Sequence, residues 1–350
     1  MEVLMTEEEL HQMKNSIPSR RSKIHQKKRP NSPKKPFLIF LTIILVIGGF
    51  STYRYFSHHY HAARQAANKI YQKSDVKKLR NVDQVLKQRK PVALLVMGTD
   101  TGAIGRGKDF KGRTDTMMVV VLNPQQKKMT IVSIPRDALA PIPGYGEYAP
   151  AKINAAYFFG GSKTAIETVQ NYLNIPLDFY ATINMGGLED LIDAVGGVTI
   201  TPDLTFSIEG HHFTKGKKTH LDGERALAYV RMRHDDPRGD YGRQERQRQV
   251  LTKLAFKSAQ LETLLNDGFL KKIANKMSTD LTFDDMLYLG TTYRVATHNL
   301  ETYTLQGKSQ MIDGQAFEVV PQNTLDEMTH IIYQALETEN ADSTALTNNE

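Results

Sequence analysis

The chain has 350 residues, contains no cysteine and no tryptophan, and carries a formal net charge of +7. Its 40% hydrophobic and 24% charged residues make an ordinary globular mixture, which excludes wholesale disorder and is enough for one large domain or two smaller ones. Without cysteine there is no disulfide framework, no thiolate-held zinc or iron–sulfur cluster, and no thiol nucleophile.

The excess charge is local. Residues 1–36 balance at +5 and residues 37–90 at +8, whereas residues 91–335 balance at −2 and Leu336–Glu350 at −4. The main body is near neutral, so no nucleic acid partner is expected. Between the two basic segments lies Phe37–Tyr53, seventeen residues without a charge. That is the short end of the range for a membrane-spanning helix. Arg54 can snorkel, and Tyr53, Tyr55 and Phe56 suit a membrane interface. Lys14–Lys35 holds nine Lys/Arg and no acid, which predicts a cytoplasmic N-terminus and an extracytoplasmic remainder. A cleaved signal peptide fits less well, because the 36-residue n-region is long and no clean A-x-A site follows the apolar run. The expected organisation is a cytoplasmic basic tail (1–36), a transmembrane signal anchor in the cell membrane (37–56), and an extracytoplasmic helical stalk near the headgroups (57–90). A catalytic domain (91–336) and a disordered tail (337–350) complete it.

Val92–Gly98 (VALLVMG) reads as a buried strand, followed by a glycine-rich loop to Gly112. Met117–Leu122 and Met129–Ile134 are two more strands, with Asn123-Pro124 as the turn. Ile153–Phe158 fits a short helix, and Ser162–Leu173 has helical spacing of Ile166, Val169 and Leu173. Asp178–Asn184 alternates as a strand, Gly187–Val195 is helical, Val198–Thr201 begins a strand, residues 202–221 form a hairpin or loop, and Asp222–Arg231 is helical. Gln244–Leu265 is predicted as one long helix with an apolar stripe through Val250, Leu251, Leu254, Leu261, Leu264 and Leu265. Helices at Phe269–Lys276, Phe283–Tyr293 and Thr324–Leu336 and strands at Leu300–Leu305 and Ala316–Val320 complete the pattern. Strands alternating with helices predict an α/β layered architecture.

Polar residues gather at the ends of the apolar strands. Asp100 follows the first (MGTD), Arg113 and Asp115 precede the second (GRTDT), and Arg136 and Asp137 follow the third (SIPRD). Open α/β sheets bind ligands at such strand ends. A denser cluster runs from Arg231 and Arg233 through His234, Asp235, Asp236 and Asp240 to Arg243, Arg246, Gln247 and Arg248. Its bland explanation is a solvated helix start with carboxylates pairing the arginines. Against this, Arg243 and Gln247 at i, i+4 share a helix face, and Arg231 and Arg233 point the same way if extended. Converging arginines repel unless carboxylates or a bound anion stand between them, and arginine suits bidentate phosphate contact. With a phosphate ester bound, Asp100 and Asp115 make sense as Mg²⁺ ligands, with Mn²⁺ as the alternative ion. The chemistry is then phosphoryl transfer, with Asp137 or Asp240 accepting a proton from an attacking hydroxyl. His211-His212, Arg238-Gly239-Asp240 and the glycine-rich loop match no functional motif with the required context.

The ordered set MGTD, GRTDTMMVV, SIPRD, KINAAYFFGG, LIDAVGGVTI, LDGERALAYVRMRHDD and GDYGRQERQRQVL, over about residues 92–255, resembles the LytR-CpsA-Psr family. The resemblance implies an α/β/α sandwich with a central mixed β-sheet and a greasy pocket, preceded here by one N-terminal transmembrane helix. It implies a phosphotransferase that moves a glycopolymer from an undecaprenyl-pyrophosphate carrier to peptidoglycan, at the C6 hydroxyl of N-acetylmuramic acid, and releases undecaprenyl phosphate. Carried over by motif, Asp100 and Asp115 resemble Mg²⁺-binding aspartates. Arg113, Arg136, Arg231, Arg233, Arg243 and Gln247 resemble the pyrophosphate-contacting set, and Asp240 the acidic residue before the RQ-rich helix. The implied partners are the lipid-linked anionic glycan (teichoic acid or capsule-like), peptidoglycan and the membrane. Alternatives are a polyprenyl pyrophosphatase, a membrane-bound transcriptional attenuator and a non-catalytic wall-binding protein. Leu188, Leu191, Ile192, Val195, Leu227, Val230, Val250 and Leu254 are candidates both for a lipid pocket and for ordinary core.

Overall fold

The computed structural model describes residues 34–100, 112–233, 235–258, 260–274 and 276–338. The chain divides into two units between Arg54 and Tyr55. The first contains the start of helix α1 (Lys34–Ile70), on which Leu45, Val46, Ile47 and Phe50 are all exposed. Among the described residues no helix is long and apolar enough to cross a membrane. The side chains of 34–41, which include the first part of the apolar run, lie outside the described residues.

The second unit is built on a six-stranded mixed sheet. In chain order, short helix α2 (Val82–Lys87) precedes strands β1 (Val92–Thr99), β2 (Thr114–Asn123) and β3 (Lys128–Ile134). Helix α3 (Ala155–Leu173), strand β4 (Phe179–Asn184) and helix α4 (Leu188–Ala194) follow. Short strands β5 (Val198–Ile200), β6 (Phe206–Ile208), β7 (His211–Phe213) and β8 (Thr219–Leu221) form two small ribbons. Then come α5 (Gly223–Arg231), α6 (Asp240–Ser258), α7 (Leu261–Leu264), α8 (Asp267–Ile273) and β9 (Met277–Thr279). The chain continues through α9 (Phe283–Thr292), β10 (Asn299–Thr304), hairpin β11 (Lys308–Ile312)–β12 (Gln315–Val319) and α10 (Gln322–Leu336). The sheet order is β10-β3-β2-β1-β4-β9. β1 is antiparallel to β2 and parallel to β4, β2 is antiparallel to β3, and β3 is parallel to β10.

Both faces of this sheet are covered, which is why β1 reads as a continuous apolar run rather than an alternation. Alternation still sorts its side chains. Leu95, Met97, Met117, Val119, Val121, Val132 and Ile134 face a core shared with α3 and α10. Met118, Met129, Ile131 and Ile183 face a second core shared with α4, α5 and α6. The result is an α/β/α layered fold, as the sequence pattern predicts.

Residues 57–90 differ from the expected stalk. Ala63, Ala66, Ala67 and Ile70 are buried in the second core. Small residues on one face of α1 let the helix lie close against the domain. Tyr60 and Arg64 reach Asp284, and Arg80 pairs with the fully buried Asp178, which also accepts the Ala93 N–H at 2.7 Å. The basic segment is therefore domain surface. The long helix expected over Gln244–Leu265 stops at Ser258, and the separate helix α7 carries Leu264, which lines the same cavity as Leu254. The two helices expected over Ile153–Phe158 and Ser162–Leu173 are one element with a break at Gly160-Gly161, where Gly161 takes a φ of +66°. Strands β9 and β11 were absent from the expectation: the first has three residues, and the second is polar and exposed.

Candidate active site

The C-terminal ends of β1, β3 and β4 and the start of β2 meet at one edge of the sheet. Asp100, Arg113, Asp115 and Arg136 are therefore carried to one place by topology alone. The β1–β2 register slips there: Gly98 pairs with Thr116 but Thr99 pairs with Thr114, so Asp115 is the extra residue of a bulge. A bulge re-aims a side chain that the pleat would otherwise fix. Asp115 Oδ1 accepts from Arg136 Nη1 at 2.9 Å. Asp100 is fixed by two contacts with Arg113: its N–H donates to the Arg113 carbonyl at 3.1 Å, and its Oδ1 accepts the Arg113 N–H at 2.6 Å. The Arg113 side chain is exposed.

After β3 the chain turns through Pro135-Arg136-Asp137. Asp137 is held by Lys152 at 2.9 Å and lies 3.4 Å from Arg136 Nε, so a continuous chain of alternating charge runs Asp115–Arg136–Asp137–Lys152. Lys152 begins the KINAAYFFGG segment and was not singled out from the sequence. Its signal was a lone base just before the buried Ile153 and Asn154.

Helix α6 covers this edge. Gln247 is 7% exposed and its Oε1 accepts from Thr116 Oγ1 at 2.7 Å, beside the bulge. Arg243 lies one turn earlier on the same face, with its Nε and Nη2 buried. Thus Asp115, Arg136, Arg243 and Gln247 come to one edge of the sheet. Asp240 begins α6, but its side chain lies outside the described residues, as do His234 and the loop from Thr101 to Lys111.

The other two arginines stand apart. Arg231 occupies the last turn of α5, so the extended geometry expected for the Arg231–Arg233 pair does not hold. Arg231 is exposed and lies 3.6 Å from Glu209. Arg233 is exposed in the segment that follows. That segment is pinned by Arg246, which is fully buried and donates to Met232 O and Asp236 Oδ2, both at 2.6 Å. Asp236 also accepts from Arg238, and hydrogen bonds from Arg238 and then Arg246 hold its carboxyl well below the usual carboxylate range. Here the carboxylate–arginine pairing of the bland explanation holds, but in the interior rather than on a solvated face: Asp236 and Arg246 are buried structural partners, and Arg238 joins them. Gly242 is required by this packing, because a Cβ there would collide with the Asp236 carboxylate.

Beneath the polar edge, between the sheet and α6, lies an apolar cavity of about 360 Å³. Leu94, Val96, Met118, Val120 and Ile131 form its sheet wall, and Leu251 and Leu254 part of the opposite wall. Of the eight pocket candidates from sequence, Leu191 and Leu254 line it; Leu188, Ile192, Val230 and Val250 are buried core.

A metal fits this edge only with help from a substrate. Among the described residues no group of three or more His, Cys, Asp or Glu side chains is placed to hold an ion. Asp100 and Asp115 offer the two carboxylates with which Mg²⁺ is commonly held when phosphate oxygens and water supply the rest.

Comparison with known proteins places this architecture. TagU of Enterococcus faecalis, described as a polyisoprenyl-teichoic acid--peptidoglycan teichoic acid transferase, is 40% identical over 303 residues, covering 86% of this chain and 96% of its own. The crystal structure of Bacillus subtilis TagU superposes with a TM-score of 0.59 at 34% identity, covering 71% of this chain and 98% of its own. A structure of TagT bound to LIIa-WTA superposes with a TM-score of 0.59 at 25% identity, covering 76% and 96%. The LytR_cpsA_psr family profile matches residues 54–334, and the chain belongs to that family.

Proposed function

We propose that the protein transfers an anionic glycopolymer of the teichoic acid type from an undecaprenyl-pyrophosphate carrier to peptidoglycan. The observation that carries this reading is the apolar cavity of about 360 Å³ lying under an edge where Arg136, Arg243 and Gln247 meet two aspartates. A molecule with a long hydrocarbon chain and a pyrophosphate head matches both parts. The transferase activity ascribed to the 40% identical relative and the WTA-bound TagT structure agree with it.

Arg136 and Arg243 neutralise the pyrophosphate, and Gln247 donates an amide N–H to it, its Oε1 being occupied by Thr116. Arg113, exposed beside Asp100, meets the diphosphate from the solvent side, and Arg231 and Arg233, which stand apart from the edge, guide its approach. Asp100 and Asp115 would hold Mg²⁺, or Mn²⁺, which would screen charge on the phosphates. Asp137 is engaged by Lys152 and Arg136, so it orients Arg136. The proton acceptor is then Asp240, at the start of α6. The acceptor oxygen attacks the phosphorus carrying the glycan. The bond from that phosphorus to the bridging oxygen breaks, undecaprenyl phosphate leaves with the electron pair, and the hydroxyl proton passes to the carboxylate and on to solvent.

Placement completes the proposal. Phe37–Phe56 anchors the chain in the cell membrane, the basic tail stays in the cytoplasm, and the catalytic domain faces outward, where carrier and wall meet. The test uses the full chain in detergent with Mg²⁺ and a polyprenyl-pyrophosphate glycan. Polyprenyl monophosphate is released, and Arg136→Ala or Arg243→Ala abolishes release. Full turnover in both variants overturns the assignment. A product formed only with water, even with peptidoglycan fragments present, would instead make the protein a pyrophosphatase.

A further inference from the structure

Beside the arginines lies a second cavity, of about 170 Å³, lined by polar and charged residues and a tyrosine. Ser133, Thr304 and Gln306 line it from the sheet side, Tyr241, Gln244 and Glu245 from α6, and Arg238 from the segment before α6. Its position follows from strand alternation. Met129, Ile131 and Ser133 point to the same face of β3. The first two line the apolar cavity and the third lines the polar one. On α6 the order is the same: Leu251 and Leu254 belong to the apolar cavity, Tyr241, Gln244 and Glu245 to the polar one, and Gln247 stands between them in sequence. The two cavities are thus two ends of one trough along α6, and Arg243 and Gln247 flank the boundary.

Two observations point to a ligand. Ser133 is 7% exposed, and its buried Oγ has no hydrogen-bond partner among the described residues. Leaving a hydroxyl so placed is costly unless a bound group completes it. The charged groups nearby are already compensated: Glu245 is paired with Arg248, and Arg238 with Asp203 and Asp236. What remains is the Ser133 and Thr304 hydroxyls, the Gln306 amide and the Tyr241 ring, a surface suited to an uncharged sugar and poorly suited to a polyanion.

This inference rests on the transfer reading above. In-line displacement puts the attacking and leaving oxygens on opposite sides of phosphorus. With the leaving prenyl phosphate in the apolar end, the attacking hydroxyl enters from the polar end. We propose that the polar cavity is the acceptor subsite, which holds one pyranose of the wall glycan and presents its hydroxyl to the phosphorus. The bonds made and broken are those already given.

The experiment uses the full chain in detergent with soluble peptidoglycan glycan fragments as probe. Gln306→Ala with Thr304→Val is the first variant, and Ser133→Ala the second. Gln306 is exposed in the loop after β10, so the first variant retains the fold. The acceptor KM rises about tenfold while the donor KM stays within about twofold, since one or two neutral hydrogen bonds are lost on one side of the reaction only. Calorimetric binding of the fragments weakens in parallel. An unchanged acceptor KM overturns the subsite. A rise in donor KM alone reassigns the cavity to the donor glycan. If the wild-type chain releases no prenyl phosphate at all, the transfer reading fails, and calorimetry decides the cavity independently: fragment binding lost in both variants supports a glycan site, and binding retained overturns it.

Discussion

At the scale of single residues, the arginines of this protein divide by what stands opposite them. Arg246 is fully buried, and its charge is met by Asp236 and the Met232 carbonyl, so it braces the segment that carries Arg233. Arg136 lies between Asp115 and Asp137 at the sheet edge. Removing one partner of a buried pair leaves the other charge uncompensated, which costs about 3–5 kcal/mol. Asp236→Asn is therefore expected to lose about that much stability in denaturant unfolding, although it touches no substrate. The same pair sets an acid limit. The Asp236 carboxyl titrates below its ordinary value of 3.8 in the fold, so between the two values the unfolded chain binds more protons. Stability from this group is complete above about pH 4 and falls as pH drops through the folded value. Denaturation followed from pH 6 downward is expected to show this loss in wild type and a flatter profile in Asp236→Asn. An equal acid slope in both would remove Asp236 as its source.

At the scale of elements, the site depends on a strand hairpin far away in sequence. Glu318 on β12 donates its N–H to the Asp137 carbonyl and accepts the Leu139 N–H, both at 2.9 Å. Its side chain accepts from the Gly307 N–H and from the Tyr241 hydroxyl. One residue thus ties the loop bearing Arg136 to the helix bearing Arg243. Glu318→Ala and Tyr241→Phe are each expected to lower kcat several-fold, and the double variant to lower it little further, because both remove one shared bond. Additive losses in that cycle would show that the bond does not couple the two elements. Such ties explain what could be read from sequence. β1, β2, β3, α6 and the residues at their ends were legible because apolar runs and strand-end polar residues are local signals. Glu318 was illegible because its partners lie 11, 77 and about 180 positions away. The bulge at Asp115 was equally invisible, since register belongs to two strands jointly. The polar cluster misleads in one respect: a spacing of two predicts that Arg231 and Arg233 point the same way, yet Arg231 is helical.

At the scale of the whole molecule, the excess charge lies before residue 91, with +5 over residues 1–36 and +8 over residues 37–90 against −2 over residues 91–335. If Phe37–Phe56 is the anchor, deleting residues 1–56 is expected to move the protein from the membrane pellet to the supernatant, and a chain that still pellets would relocate the membrane contact to the domain surface. The cavity under the sheet supplies the stricter test. A folded protein seldom leaves about 360 Å³ of apolar space without a use, because its walls forgo packing contacts. A lipid chain that fills it binds the native state only, and so raises thermal stability by mass action. Polyprenyl phosphate is expected to raise the Tm of the full chain in detergent, more than a short-chain phosphate does. Ala181 lies on β4 in the cavity wall, where a larger side chain grows into open space. Ala181→Phe is expected to fold with a change in stability under about 3 kcal/mol, the usual limit for overpacking, and to lose the lipid-dependent rise. A variant that folds and keeps the full rise would place the lipid chain elsewhere, and the trough along α6 would then be core with no carrier in it.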